Sequence, residues 1–248
     1  MKILVCISHV PDTTSKINFV ESDTKFDVQG VQFVINPNDE FGLTRAMWLK
    51  ENQGALVDVI NVGLQTSEST LRKALAIGAD RAIRINAEPT DGYFVAKQIA
   101  EFVKQNPYDL IIAGRESIDY NGAMVPGLIA GFLDIDYVTN CTKLDIENGK
   151  VILDREIDGG KETLSGSLPL IIGGQKGLVE ENDLRIPNMR GIMQARQKPL
   201  DTLEPFNFSP NTSTLKFHKP EPKQAVKLID ADNLDELINL LQNEAKVL

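Results

Sequence analysis

Cysteine is nearly missing from this chain: two in 248 residues, Cys6 and Cys141. A pair so placed, with Cys6 inside an apolar run, excludes a disulfide framework and suits a reducing compartment. Histidine is as scarce, with His9 and His218 far apart in sequence. No Cys-x-x-Cys, His-Glu-x-x-His, Gly-x-Ser-x-Gly or Walker loop occurs, so the sequence supplies neither a metal centre nor an activated nucleophile, and no catalytic residue is expected. Basic charge is in deficit, 26 Lys and Arg against 35 Asp and Glu, for a net charge of -9. That excludes a duplex nucleic acid partner, whose phosphates need a basic surface. Long hydrophobic runs are also lacking. None approaches the roughly 20 residues that span a bilayer. Lys2–Ile7 is too short for the apolar core of a signal peptide. The expectation is a cytoplasmic protein without membrane insertion.

What the sequence does have is regular alternation over its first 135 residues. Ile3–Ile7, Val57–Val62, Ala82–Ile85 and Leu110–Gly114 read as strands, the first and last as continuous buried runs. Between them lie helical stretches opening at Asn36-Pro37-Asn38-Asp39-Glu40, Ser67-Glu68-Ser69 and Asp91, and an apolar helix over Met124–Leu133. In the first of these, Asn or Asp supplies the cap and Glu40 suits the positive helix end. Strands separated by helices imply right-handed crossovers and a mostly parallel, doubly wound α/β sheet. Ligands then sit beyond the carboxyl ends of the strands, so the loops after Ile7, Val62 and Gly114 matter most.

The pattern changes near residue 138. Val138–Ile146, Asn148-Gly149 and Val151–Ile157 read as a β-hairpin with a type I′ turn, and Ser167–Gly173 as a further strand. Residues 176–220 hold five of the twelve prolines and read as an irregular, extended arm. Residues 222–246 read as one amphipathic helix. The chain thus divides into a body, residues 1–180, and a docking segment, arm and terminal helix, residues 181–248.

Four segments carry candidate chemistry. Gly114-Arg115-Glu116-Ser117-Ile118-Asp119-Tyr120-Asn121-Gly122-Ala123, followed by Met124-Val125, joins a buried strand to a helix. Free backbone N–H groups there form an anion seat. Arg115 adds charge, and Asp119 suits either a ribose hydroxyl or a helix cap. The same residues read equally well as an ordinary strand-to-helix loop. Asn36–Glu40 reads as a helix start or as the wall of a nucleotide pocket. Arg155-Glu156-Ile157-Asp158-Gly159-Gly160-Lys161-Glu162-Thr163-Leu164 reads first as a turn, from its Asp-Gly-Gly. Arg185–Arg196 sets methionine and isoleucine among three arginines, which suits a docking surface or a packed arm.

In their joint order these segments resemble the electron-transfer flavoprotein beta subunit over nearly the whole chain. The resemblance rests on Lys2–Asp12, Asn36-Pro37 with Asp39-Glu40, Ala74–Arg81, Gly114-Arg115 with Ile118-Asp119, Arg155–Leu164 with Leu168-Pro169, Arg185–Arg196 and Glu244–Val247. It implies a Rossmann-like, adenine-nucleotide-binding fold and an electron carrier rather than an enzyme. The partner it implies is an alpha subunit holding the redox-active FAD. This chain would grip AMP, or a second FAD in flavin-bifurcating members. Nucleotide contacts would fall on Cys6, Asn36, Pro37, Asn38, Asp39, Val62 and Gly114–Val125. Met189, flanked by Arg190 and Ile192, would anchor flavin dehydrogenases such as those acting on acyl-CoA. Glu156 would help orient the mobile flavin domain, and electrons would leave to a quinone-linked oxidoreductase.

Ala123-Met124-Val125 replaces polar residues common in AMP-binding members, Pro126 removes a donor, Asn38 stands where an aromatic is frequent, and a lysine common near Ser8 is absent. The choice between AMP and FAD therefore stays open. Two rivals share the core: a stand-alone nucleotide-binding module of the stress-protein type, and an enzyme acting on adenylates. The first has no use for the 138–248 tail, and the second needs side chains that this sequence does not offer.

Overall fold

The computed structural model describes residues 1–147, 149–222 and 225–248. Strand β1 (Lys2–Cys6) enters the core at once. It is followed by a long connection carrying the short strands β2 (His9–Pro11), β3 (Phe19–Val20), β4 (Lys25–Phe26) and β5 (Phe33–Ile35). Helix α1 (Pro37–Gln53) starts on a proline at its first position and stops at Gly54, whose φ of 68° lets its N–H reach back to the Lys50 carbonyl. Then come β6 (Leu56–Val62), α2 (Glu68–Ile77), β7 (Arg81–Ile85), α3 (Gly92–Gln105), β8 (Leu110–Gly114) and α4 (Val125–Leu133).

The second half supplies β9 (Asp136–Glu147), β10 (Lys150–Ile157), β11 (Gly160–Gly166), β12 (Leu170–Gly174), α5 (Met189–Ala195), β13 (Leu200–Leu203) and α6 (Leu234–Asn239). Among the described residues the main sheet has nine strands, in the order β11-β10-β9-β12-β8-β1-β6-β7-β13. From β9 to β13 every neighbouring pair is parallel. Only β10 and β11 run as antiparallel additions.

Strand alternation sorts the core into two layers. Ile3, Val5, Val57, Val59 and Ile112 face α1 and α2, with Leu43, Met47, Leu71 and Leu75. Leu4, Cys6, Ile60, Ile83 and Ile111 face the opposite layer, with Phe94, Ile99 and Ile129 from α3 and α4. Each such aliphatic side chain contributes about 1.5–3 kcal/mol relative to an exposed position. The doubly wound α/β reading is therefore correct.

Three element readings are corrected. The turn read at Asp158-Gly159-Gly160 is present at Asp158-Gly159, but residues 160–166 beyond it form a strand that was not read, β11, paired with β10 from Val151↔Gly166 to Ile157↔Gly160. The 176–220 stretch is not irregular throughout: it contains α5, and β13 pairs in parallel with β7. The terminal helix is shorter than 222–246, being α6 plus a wider last turn over Leu240–Glu244. Val226 and Leu228 lie outside it and are exposed. An apolar pattern with no face to bury against does not hold a long helix. The hairpin β9–β10 forms as read, but Asn148, and with it the turn type, lies outside the described residues, as do Lys223 and Gln224 in the terminal stretch.

Candidate functional site

The crossovers run from β1 through α1 to β6 and through α2 to β7. The chain then returns through α3 to β8, on the other side of β1. Strand order therefore reverses between β1 and β8, where open α/β sheets form a crevice beyond their carboxyl ends.

Asp39 sits in that crevice, almost wholly buried, and its carboxylate joins the two strand ends. Oδ2 accepts from the Ser8 N–H at 2.7 Å, just past β1, and Oδ1 accepts from the Gly114 N–H at 2.8 Å, at the end of β8. Burial pushes the carboxyl up to about 7, against the hydrogen bonds from Ser8, Asn36 and Gly114 that pull it down. Asn36, fully buried, does not cap α1 with its side chain, contrary to the sequence expectation. Its amide instead donates to the Glu116 carbonyl at 2.9 Å and accepts from the Ile118 N–H at 3.2 Å. Asn38 donates to the same Glu116 carbonyl at 3.1 Å. The side chains read as helix caps thus tie three loops together, because bonding the distant loop satisfies buried amides that water cannot reach.

Gly114 permits this closeness. A Cβ there would overlap Asp39 Oδ1 and come within 2.8 Å of Asn38 Cβ. Arg115 donates its backbone N–H to Gly174 and pairs its guanidinium with Glu116 at 2.6 Å. Beyond Ile118 the loop turns outward. Asp119, Tyr120, Asn121, Gly122, Ala123 and Met124 are exposed, and Asn121 and Ala123 adopt left-handed φ of 48° and 50°. The Asn121 N–H returns to the Ser117 carbonyl at 2.8 Å. Helix α4 then begins at Val125 with no side-chain cap, so the Val125 and Gly127 N–H groups lack intrahelical partners; Pro126 has no N–H, and that of Leu128 bonds the Met124 carbonyl at 2.9 Å.

Cys6 is buried on the α3/α4 side of β1. Burial first, and the nearby Asp39 charge second, drive its thiol far above the usual range, so it is no nucleophile. Val62 ends β6 beside this group and is buried. Its neighbour Asn61 donates from Nδ2 to the Ile7 carbonyl at 2.8 Å. Sequence reasoning missed Asn61 and Arg84. The buried Arg84 holds the Gly63 carbonyl at 3.1 Å and pairs with Glu68 at 3.2 Å. An arginine alternating with isoleucine in Arg81–Ile85 was the available signal.

The residues expected from the sequence to dock a partner lie elsewhere. Met189 opens α5 at 76% exposure, with Ile186, Ile192 and Met193 exposed around it and Arg190 beside it. The helix is held from below. Arg72 donates to the Ala195 and Lys198 carbonyls, and the Gly191 backbone packs so closely on Ala76 that a Cβ would overlap the Ala76 carbonyl oxygen. Glu156, exposed on β10, accepts from the buried Gln175 amide at 2.5 Å, a partner the sequence did not suggest. No helix among the described residues is long and apolar enough to cross a membrane.

Residues 23–206 match the family model described as the electron transfer flavoprotein domain. The electron transfer flavoprotein subunit beta of Bacillus subtilis (strain 168) is 34% identical over 262 residues, covering 100% of both chains. That of Syntrophomonas wolfei is 33% identical, covering 100% of this chain and 98% of its own, and that of Homo sapiens is 29% identical, covering 100% and 99%. This chain belongs to the electron transfer flavoprotein family and is a beta subunit of it.

Proposed function

We propose that this chain holds an adenine nucleotide, AMP or a second FAD, in the crevice between β1 and β8. With an FAD-holding alpha subunit it forms a cytoplasmic heterodimer carrying electrons from flavin dehydrogenases, such as acyl-CoA dehydrogenases, to a quinone-linked oxidoreductase. The observation that carries the nucleotide reading is the cluster around Asp39, set beside the uncapped start of α4. Asp39, its oxygens already held by Ser8 and Gly114, offers a phosphate no donor at the strand ends, while the Val125 and Gly127 N–H groups at the start of α4 attract one. The nucleotide therefore lies with its phosphate toward Ala123–Val125 and its nucleoside toward Cys6, Val62 and Asn36–Asp39. Pro37 and the main chain of Gly114–Gly122 complete the walls.

FAD supplies the redox chemistry, taking up an electron pair and releasing electrons singly. The residues of this chain bind, orient and exclude water, and none has to act as acid or base. Residues 1–180 form the platform, and residues 181–248 carry the docking helix and the surface that packs on alpha. Exposed Leu215, Val226, Leu228 and Leu234 in that tail favour a covering subunit over a stand-alone module. Met189 enters a cavity on the dehydrogenase, and Glu156 faces the mobile flavin domain.

Co-expression with an alpha subunit, followed by release and counting of bound nucleotides, tests the reading. One FAD and one AMP per heterodimer identifies a simple carrier, and two FAD identify a bifurcating one. A heterodimer without nucleotide in this chain, or no heterodimer, overturns the proposal.

A further inference from the structure

Past β13 the chain does not leave the body at once. The Phe206 N–H donates to the Gln98 side chain at 2.8 Å and its carbonyl accepts from the same amide at 2.7 Å, fastening the arm to α3. It then reaches the start of α3, where one carboxylate does two jobs. Asp91 Oδ1 caps the helix through the Phe94 N–H at 2.7 Å. Asp91 Oδ2 accepts from the Asn211 N–H at 2.6 Å, the Thr212 N–H at 2.7 Å and the Thr212 hydroxyl at 3.2 Å. Burial pushes this carboxyl up, but the four hydrogen bonds outweigh it and hold it below its usual range.

The arm continues past the exposed Tyr120 of the outward loop, with the Thr214 side chain near its hydroxyl. It lands on the connection between β1 and α1. The Phe217 ring stacks on Phe19 at 4.7 Å, the Phe217 N–H donates to the Asp23 carbonyl at 2.8 Å, and Lys219 Nζ reaches Asn18 Oδ1 at 2.9 Å. The landing turn holds three consecutive non-glycine residues at positive φ, Glu21, Ser22 and Asp23, at 52°, 59° and 65°. Strained backbone of this kind persists where its surroundings fix it, and the arm supplies part of that fixing. At the near end, α3 abuts the same loop: a Cβ on Gly92 would come within 2.8 Å of Met124 Cγ.

We infer that residues 211–217 form the outer wall of the nucleotide crevice, and that Asp91 is the positioning residue that holds this wall in place. The segment spans from α3 to the β1–α1 connection, passing the exposed Tyr120. A nucleotide leaving the 114–125 loop has to displace it. The inference rests on the nucleotide reading above and adds that release is governed from a residue that does not touch the ligand.

Asp91→Asn separates the two jobs of this side chain. Asparagine caps helices about as well as aspartate. However it turns, its single carbonyl oxygen serves either Phe94 or the arm, and its NH2 group faces an N–H at the other. The co-expressed heterodimer is loaded with labelled AMP, or with FAD if FAD copurifies, and chased with unlabelled nucleotide. Release is expected to quicken about tenfold, the scale of one hydrogen bond to a charged acceptor, with little change in melting temperature. Tyr120→Phe, which removes the contact to Thr214, is expected to quicken release several-fold. Wild-type rates in both variants overturn the inference, as does a release that quickens only in step with a lower melting temperature. A wild-type heterodimer retaining no nucleotide in this chain overturns the nucleotide reading itself.

Discussion

Replacing Gly114 by alanine should be among the most damaging one-carbon changes available in this protein. Its φ lies outside the left-handed region, so the backbone accepts alanine and the cost arises from contact alone. The new Cβ overlaps Asp39 Oδ1 and presses on Asn38 Cβ and Asn36 Nδ2, at 2.8 and 3.0 Å. None of these atoms is the free end of a flexible side chain, because Asp39 and Asn36 are themselves fixed by bonds to Ser8, Glu116 and Ile118. Overpacking costs about 1–3 kcal/mol. Losing the Gly114 N–H bond to the carboxylate costs about 1.5–3 kcal/mol more. The lower entropy of the unfolded alanine chain returns only about 0.4–1 kcal/mol. A net loss of roughly 2–5 kcal/mol is expected in urea unfolding of the heterodimer at fixed concentration, together with at least a tenfold loss of nucleotide affinity. Gly131→Ala, on an exposed part of α4 where a Cβ meets open space, is the matched control and should be neutral or slightly stabilising. Indistinguishable unfolding midpoints and affinities for the two variants would refute the account of the Asp39 cluster.

Asp39→Asn tests the same cluster through pH. The folded chain holds the Asp39 proton up to about 7, while the unfolded chain releases it in the ordinary carboxylate range. Folding stability from this group is therefore greatest at low pH and falls as pH rises through that interval, by at most about 1.4 kcal/mol per pH unit. Melting curves from pH 5 to 8 should show that slope in the wild type relative to the asparagine variant, and parallel curves would remove the assignment. At the proposed docking surface, Met189→Ala should slow electron transfer from a flavin dehydrogenase about tenfold, the scale of one buried methionine, without releasing nucleotide. Gly191→Ala should do the same by lifting α5 off Ala76, and full transfer in both variants would rule out α5 as the docking element. Burial raises both thiols, that of Cys141 to about 12, so iodoacetamide at pH 8 should label neither until the chain is unfolded. Rapid labelling of the native protein would contradict the core as described.

Much of the parallel half was legible because its signals are local. Ile3–Ile7 and Leu110–Gly114 are continuous apolar runs, and Asp91 caps α3 as its sequence position implies. The crevice was legible to the level of its loops, since alternation implies a parallel sheet whose ligands sit at the carboxyl ends of the strands, but the strand order that reverses between β1 and β8 was not legible. What Asn36 and Asp39 do there was not. A cap bonds within four residues, whereas these side chains bond partners up to 82 residues away, and nothing local distinguishes the two outcomes. The strand β11 was hidden because Gly160–Gly166 has no apolar alternation and pairs only on the strength of the hairpin before it. β13 was hidden for a similar reason: four residues after a proline acquire strand geometry from β7 alone. The terminal helix failed in the other direction, with a clear apolar pattern but no surface in this chain to bury it.

The short β13 has a consequence for how this protein keeps from sticking to copies of itself. Without it, β7 would end the sheet with the unpaired N–H and C=O groups of Arg81–Ile85, an apolar strand that could template pairing with another chain. β13 closes that border and is a poor template in its turn. It is four residues long, lies between Pro199 and Pro205, and carries Asp201, which is held to Arg81 at 2.6 Å. A chain cut after β12 would keep most of the core yet gain an open border. It should aggregate during synthesis, before any alpha subunit arrives to cover it.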